Sequence, residues 1–298
     1  MPWRGRPQDE QAMSGHPRTD AAEAPILKHC CARAYESEAA RWLLGETFHP
    51  GGLALTDRLG MTLSLGAGDR VLDVASGRGA SALFLAERFG CGVVGIDYSA
   101  ANVAAANADA AARGLSGRVC FQQGDAESLA FAAGVFDALV CECAFCTFPD
   151  KARAAREFAR VLDADGRIGI TDLTRAPELG AQLRSLLAWI ACIADAKPAR
   201  EYVACLEEVG FSLTLVEPHA EALRELVQQV RSRLLAAEIV QGLGKINAPE
   251  LDLGAARTLA RTAAQAIERG ELGYVLITAA KKSLRGLAPH GASAQCCR

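Results

Sequence analysis

The segment Val71-Leu72-Asp73-Val74-Ala75-Ser76-Gly77-Arg78-Gly79 constrains this chain more than any other. Four apolar residues enclose one acid, Asp73, and run straight into a turn with two glycines. The residues that follow, Ala80–Phe89, carry Leu83, Phe84 and Phe89 on one side of a helix. Strand, glycine turn and helix form the opening unit of a parallel α/β sheet, because parallel neighbours need a crossover and a helix usually supplies it. Glycine lets the backbone turn sharply and leaves its amides open to a ligand.

The same alternation continues downstream. Arg70–Ala75, Gly92–Asp97, Val119–Gln122, Phe136–Cys143 and Arg167–Asp172 read as strands. Helices are predicted over Ala100–Arg113, capped by Ser99 and ended by Gly114, and over Lys151–Leu162, capped by Asp150. Helical patterns over Leu179–Ala196 and Arg200–Val209 precede a sixth strand, Ser212–Glu217, and a seventh, Gly273–Ala279. The expected fold is therefore α/β, a doubly wound and mostly parallel seven-stranded sheet. Between the last two strands, residues 218–272 form a helical insert. Leu223, Leu226, Val227 and Val230 mark one helix, and Ala256, Ala260 and Ala263 the other. Residues 26–60 read as an N-terminal helical lid, broken at His49-Pro50-Gly51-Gly52 and resumed over Leu53–Leu59. Residues 61–175 form the binding core, 1–25 a disordered arm and 283–298 a flexible tail ending near Cys296-Cys297.

Composition removes several classes of function. The formal net charge is −3, with no basic run, so nucleic acid is not an expected partner. The longest strongly apolar stretch, Leu186–Ala194, is far shorter than the roughly 20 residues of a membrane span. No membrane partner is expected, and a cytoplasmic setting with free thiols is. The 11 cysteines are too sparse for a disulfide scaffold.

Three acids then narrow the ligand. Asp73 beside the glycine turn would repel a pyrophosphate and suits an ammonium group. The phosphate-binding pattern also lacks its third glycine, which disfavours a nucleotide-dependent dehydrogenase. Asp97 ends the second strand 20 residues after Gly77, where an acid accepts ribose hydroxyls. Gly124-Asp125-Ala126-Glu127 follows the third strand, where a carboxylate can take the amino group of adenine. Together these loops describe a nucleoside with an amino-acid tail and no phosphate.

Over about residues 60–175 the chain resembles the class I S-adenosylmethionine-dependent methyltransferases. The resemblance implies a Rossmann-like sheet with its last strand antiparallel, and S-adenosyl-L-methionine as cofactor. The family's glycine motif falls on Asp73, Ala75, Gly77 and Gly79, its ribose acid on Asp97, and its adenine pair on Asp125 and Ala126. Ser76, Tyr98 and Glu142 complete the expected cofactor-binding set. On this reading Gly77→Ala crowds the turn and Asp97→Ala loses the ribose hydrogen bonds, each weakening cofactor binding.

The acceptor is read from cysteines. Cys141, Cys143 and Cys146 cluster at the end of the fourth strand, where open α/β sheets place their sites. Cys141 and Cys143 would share a strand face. Cys192 lies in a later helix, and Cys30 and Cys31 in the lid. This set resembles the arsenite methyltransferases, in which thiols hold trivalent arsenic. The resemblance implies Cys143, Cys192 and Cys31, with Cys30 as the alternative, as ligands to the metalloid, and a thiol reductant as partner. No other metal is expected, since Cys143 and Cys146 make only half a zinc site. The alternative is a small organic acceptor of quinone, sterol or natural-product type. His49 and His219 are then candidate bases, each more often a surface or capping residue, and Glu142 is expected to point away from the acceptor. A non-catalytic thiol sensor of metals is the third reading.

Overall fold

The computed structural model describes residues 28–29, 32–33, 35–177, 183, 193, 195–242 and 252–282. Its seven strands are β1 (Arg70–Val74), β2 (Gly92–Asp97), β3 (Val119–Gln123), β4 (Phe136–Glu142), β5 (Leu162–Arg175), β6 (Phe211–Pro218) and β7 (Leu272–Lys281). They form one sheet in the order β3-β2-β1-β4-β5-β7-β6. The first five strands pair in parallel, and β7 runs antiparallel to both β5 and β6. Strand order reverses between β1 and β4, which leaves a crevice at their carboxyl ends.

β1 is covered on both faces, and Val71, Leu72 and Val74 are wholly buried. An unbroken apolar run is what such a strand requires. The crossover helices are α3 (Ala80–Phe89), α4 (Ala100–Ala112) and α5 (Lys151–Val161). Ser99 Oγ accepts the Asn102 amide at 3.0 Å to start α4. Asp150 accepts the Arg153 amide at 2.8 Å to start α5. Gly79 begins α3 at φ 85°, and a Cβ there would stand 2.5 Å from the Phe121 ring. Both the conformation and the close packing call for glycine.

Upstream lie α1 (Glu38–Leu44) and α2 (Gly52–Thr62). Sequence places α2 in the lid, but Leu55 and Leu59 belong to the hydrophobic core. Gly169 of β5 makes room for it, since a Cβ there would meet Leu59 at 2.5 Å. By contrast, α1 contains no buried residue. β5 is longer than the expected Arg167–Asp172, because an irregularity in β4 pairs Phe136 with Leu162 before the regular ladder starts at Ala138 and Arg167.

After α6 (Ala199–Glu208) and β6 come α7 (Ala220–Gly242) and α8 (Leu253–Glu268), the helical pair expected of the insert. Leu234 of α7 packs with Ala256 and Ala260 of α8, and Leu43 of α1 joins them. The helix expected over Leu179–Ala196 lies outside the described residues apart from isolated positions. Among the described residues, no helix is long and apolar enough to cross a membrane.

Candidate active site

A cavity of about 150 Å³ fills the crevice above β1 and β4. Nine of the ten residues expected to bind the cofactor line it: Asp73, Ala75, Ser76, Gly77, Asp97, Tyr98, Asp125, Ala126 and Glu142. Gly79 does not; it is the packed start of α3.

Asp97 fastens the glycine turn to the end of β2. One of its oxygens accepts the Gly77 amide at 2.8 Å and the other accepts the Ser99 amide at 2.8 Å. Burial pushes its carboxyl up, and these amides oppose the shift. Oδ1 also accepts from Asn102 Nδ2 at 3.4 Å, so the acceptor capacity that remains is the second lone pair of Oδ2. Gly77 has φ 54°, but a Cβ there would find only Phe48, at 3.8 Å. The expectation of crowding at Gly77 is therefore corrected: glycine is needed there for its conformation, and the crowding falls on Gly79.

Asp73 is the unusual group. It is 2% exposed, one oxygen takes the Ala82 amide, and Oδ2 has no partner. Its carboxyl is raised well above the usual range, by burial first and then by the charges of Glu142 and Asp97. A closed site with an unpartnered carboxylate oxygen and further acids calls for a cation.

Glu142 lines this cavity and does not line the apolar one beside it. It accepts hydrogen bonds from Ser81 Oγ at 2.6 Å and Thr56 Oγ1 at 3.0 Å. His49 stands beside it, 4% exposed, so it is no surface histidine. Its Nδ1 donates to the Pro50 carbonyl at 3.1 Å, while Nε2 lies 3.4 Å from Ser81 Oγ and 3.6 Å from Glu142. Both ring nitrogens are thus turned to the protein. His219 contacts Glu217 at 2.8 Å and lines neither this cavity nor the apolar one beside it.

The cysteines of β4 do not converge. Cys141 is wholly buried in the core, and that burial pushes its thiol well up. Cys143 leaves the strand at φ 54°, so the alternation that would align it with Cys141 ends at Glu142. Cys146 sits on a short 3-10 turn, Phe145–Thr147, fully buried, its amide donating to Asp172 at 2.8 Å. Only Cys143 of the three lines the cavity. Cys30, Cys31 and Cys192 lie outside the described residues. Among the described residues, no group of three His, Cys, Asp or Glu is arranged to hold a metal ion.

Sequence reasoning missed Lys28. Its ammonium contacts both oxygens of Asp125, at 2.9 and 2.8 Å, and Glu127 at 2.6 Å. No spacing or motif marks a single lysine in Ile26-Leu27-Lys28-His29.

A second cavity, of about 470 Å³, opens between α1, α7 and α8. Its walls include Leu43, Leu223, Val227, Val230, Ala260 and Ala263. No charged side chain lines it among the described residues. The two cavities share Tyr35, Phe48 and Cys143 in their walls, and the Tyr35 and Phe48 rings meet edge to face at 5.7 Å.

A doubly wound sheet with a β7 reversal and an acid-lined cavity at the β1–β4 switch defines a class I methyltransferase. The methyltransferase domain family matches residues 72–170. The chain is 33% identical over 236 residues to 27-O-demethylrifamycin SV methyltransferase of Amycolatopsis mediterranei, which covers 76% of this chain and 82% of that protein. It is 45% identical over 111 residues to nocamycin O-methyltransferase of Saccharothrix syringae, a match spanning 37% of this chain and 39% of that relative. Among solved structures, the [4+2]-cyclase SpnF superposes with a TM-score of 0.71 at 24% identity, covering 85% of this chain and 96% of that one. Geranyl diphosphate C-methyltransferase from Streptomyces coelicolor A3(2) gives 0.69 at 16% identity, covering 86% and 98%. The chain belongs to the S-adenosylmethionine-dependent methyltransferases, and S-adenosylmethionine is its cofactor.

Proposed function

We propose that this enzyme methylates a hydroxyl of a small, uncharged, apolar organic molecule. The observation that carries the reading is the apolar cavity of about 470 Å³ that meets the cofactor cavity at Tyr35, Phe48 and Cys143. Its size falls within the range of small-molecule sites. A charged acceptor would lose its hydration there without finding a charged partner among the described residues. The relatives support the same class: their names specify nocamycin, 27-O-demethylrifamycin SV and, at 40% identity over 110 residues, demethylmenaquinone.

In the cofactor cavity, the unpartnered Asp73 oxygen would take the cofactor's ammonium, Asp97 would accept ribose hydroxyls, and Asp125 would accept the adenine amino group. Bound there, S-adenosylmethionine supplies an electrophilic methyl on a positively charged sulfur. The chain's part is orientation: the two cavities meet at one place, so an acceptor held among α1, α7 and α8 presents its hydroxyl there. The oxygen–methyl bond forms as the sulfur–methyl bond breaks, and the hydroxyl proton is lost to solvent. Holding two reactants in line can supply roughly 7–11 kcal/mol of the barrier.

Arsenite as acceptor requires Cys192 and Cys30 or Cys31 to join Cys143. The wall next to Cys143 is hydrocarbon, which favours the organic reading. The deciding experiment offers purified enzyme and cofactor a panel of naphthols, hydroxyquinones and hydroxysteroids, with arsenite plus excess thiol in parallel, and reads products by mass spectrometry. Methyl ethers, formed by wild type and by Cys143→Ser, are expected. Methylated arsenic that disappears in Cys143→Ser, with no organic product, would overturn the proposal.

A further inference from the structure

We propose that Lys28 is a latch that straps the N-terminal segment across the cofactor cavity and must open for the cofactor to pass. The inference rests on the reading of Asp125 as the adenine-contacting acid. An ammonium has three N–H groups, and those of Lys28 meet three carboxylate oxygens, two of Asp125 and one of Glu127. Lys28 and Asp125 both line the cavity, so the ammonium stands on the oxygens that a purine amino group needs. Oδ1 is filled, because it also accepts the Glu127 amide at 2.9 Å, so a purine amino group takes its full place at Asp125 only as Lys28 moves off Oδ2. Glu127 keeps its grip meanwhile: its side chain is 8% exposed, and its other oxygen accepts the Asp150 amide at 2.9 Å.

A second tie lies eight residues on. Glu36 accepts a hydrogen bond from Ser99 Oγ at 2.6 Å, and Ser99 is the residue whose amide holds Asp97. The segment is thus fastened to both the ribose loop and the adenine loop. Beside these polar ties, Tyr35 packs at the edge of the core and meets Phe48 edge to face, and α1, which follows directly, has no buried residue. A cover held by ion pairs over the ligand's own acceptor groups can exchange those contacts one at a time. A cover held by core packing would have to give up buried apolar surface at once. Lys28 thus acts through Asp125 as a positioning residue and sets the rate of cofactor exchange.

The test is the dissociation rate of S-adenosylhomocysteine from the full chain, measured by stopped-flow displacement. Charge-assisted hydrogen bonds of this kind predict about tenfold faster release, and faster association, in Lys28→Met. Lys28→Arg, which keeps the charge, should restore slow release. Glu36→Ala, which removes the second tie alone, should release faster as well. Salt should accelerate release from wild type and leave Lys28→Met unchanged. Wild-type release rates in both Lys28→Met and Glu36→Ala would overturn the latch. So would complete loss of binding in a folded Lys28→Met with Glu36→Ala unaffected, which would make Lys28 part of the resting shape of the loop. Asp125→Ala separates the two layers: unchanged affinity in that variant would reject the site reading, and the latch with it.

Discussion

Asp73→Asn should make the empty enzyme more stable and its cofactor weaker. The two effects come from one oxygen. Asp73 is buried between Glu142 and Asp97, and its Oδ2 has no partner, so as a carboxylate it bears the cost of a desolvated charge beside two like charges. Asparagine keeps the volume and the Oδ1 acceptor for the Ala82 amide, removes the charge, and places an amide donor next to the Glu142 carboxylate. Each unit of upward pKa displacement corresponds to about 1.4 kcal/mol at neutral pH. Each kcal/mol recovered should raise Tm by roughly 2–4 °C in a domain of this size. With cofactor, the sign reverses. The substitution forfeits a charge-assisted hydrogen bond to the ammonium, about 1.5–3 kcal/mol, or roughly 10- to 150-fold in Kd. Calorimetric titration with S-adenosylhomocysteine and a thermal melt of the empty protein read the two effects separately. Unchanged affinity would show that the ammonium does not meet Asp73. A lower Tm in the empty variant would show that the carboxylate already has a favourable partner, and would refute the electrostatic argument.

The same group fixes a pH dependence. Because the folded carboxyl is raised, its contribution to stability is full below the unfolded value near 4 and is lost as pH climbs through the raised folded value. An ammonium ligand offsets that loss, so the Tm gain on adding S-adenosylhomocysteine should grow from about pH 5 to 8 in wild type and stay flatter in Asp73→Asn. Gly79→Ala puts a Cβ 2.5 Å from Phe121 at φ 85° and should cost about 2–4 kcal/mol in urea unfolding. Gly77→Ala, with open space around it, should cost only about 1–2 kcal/mol; equal losses would refute the packing difference. Ala260→Phe fills the apolar cavity between α7 and α8. It should abolish turnover of bulky acceptors and spare small ones, with cofactor affinity unchanged in the same titration.

The sheet was legible because its signals are local. β2 and α3 fall on the residues expected, since an apolar run and a glycine turn mark them locally, and α4 and α5 start at their own caps, Ser99 and Asp150. The start of β5 was not legible, because it depends on an irregularity in its partner β4 that leaves no trace in the sequence of β5 itself. α2 was misplaced in the lid for a similar reason. Its pattern, Leu55, Thr56 and Leu59, says only that one side is buried, and the missing side chain at Gly169 on β5 decides where.

The site divides along the same line. Asp73 and Asp97 lie within the last two positions of their strands and Asp125 stands two residues past the end of β3, so the backbone dictates where they point, and all three line one cavity. His49, Thr56 and Ser81 reach Glu142, and Lys28 reaches Asp125 and Glu127, from 61 to 99 positions away in sequence, and no spacing rule connects them. The cysteines show the opposite failure. Three in six residues look like a cluster, yet the turn at Cys143 sends them to three environments: core, cavity wall and buried 3-10 turn. The acceptor is harder still to read, because nothing in it is a motif. Its cavity exists where α8 presents Ala256, Ala260 and Ala263 to the leucines and valines of α7 and leaves the gap unfilled. Alanines at helical spacing read equally well as close packing. Only the spacing of the two helices turns them into a cavity wall, and α1 closes its side, where Arg233 of α7 donates to the Leu43 carbonyl at 2.8 Å. On the proposed reading, acceptor choice in this chain follows helix placement rather than reactive residues. Substitutions that move or fill the α7–α8 gap should therefore change the acceptor before they change the chemistry.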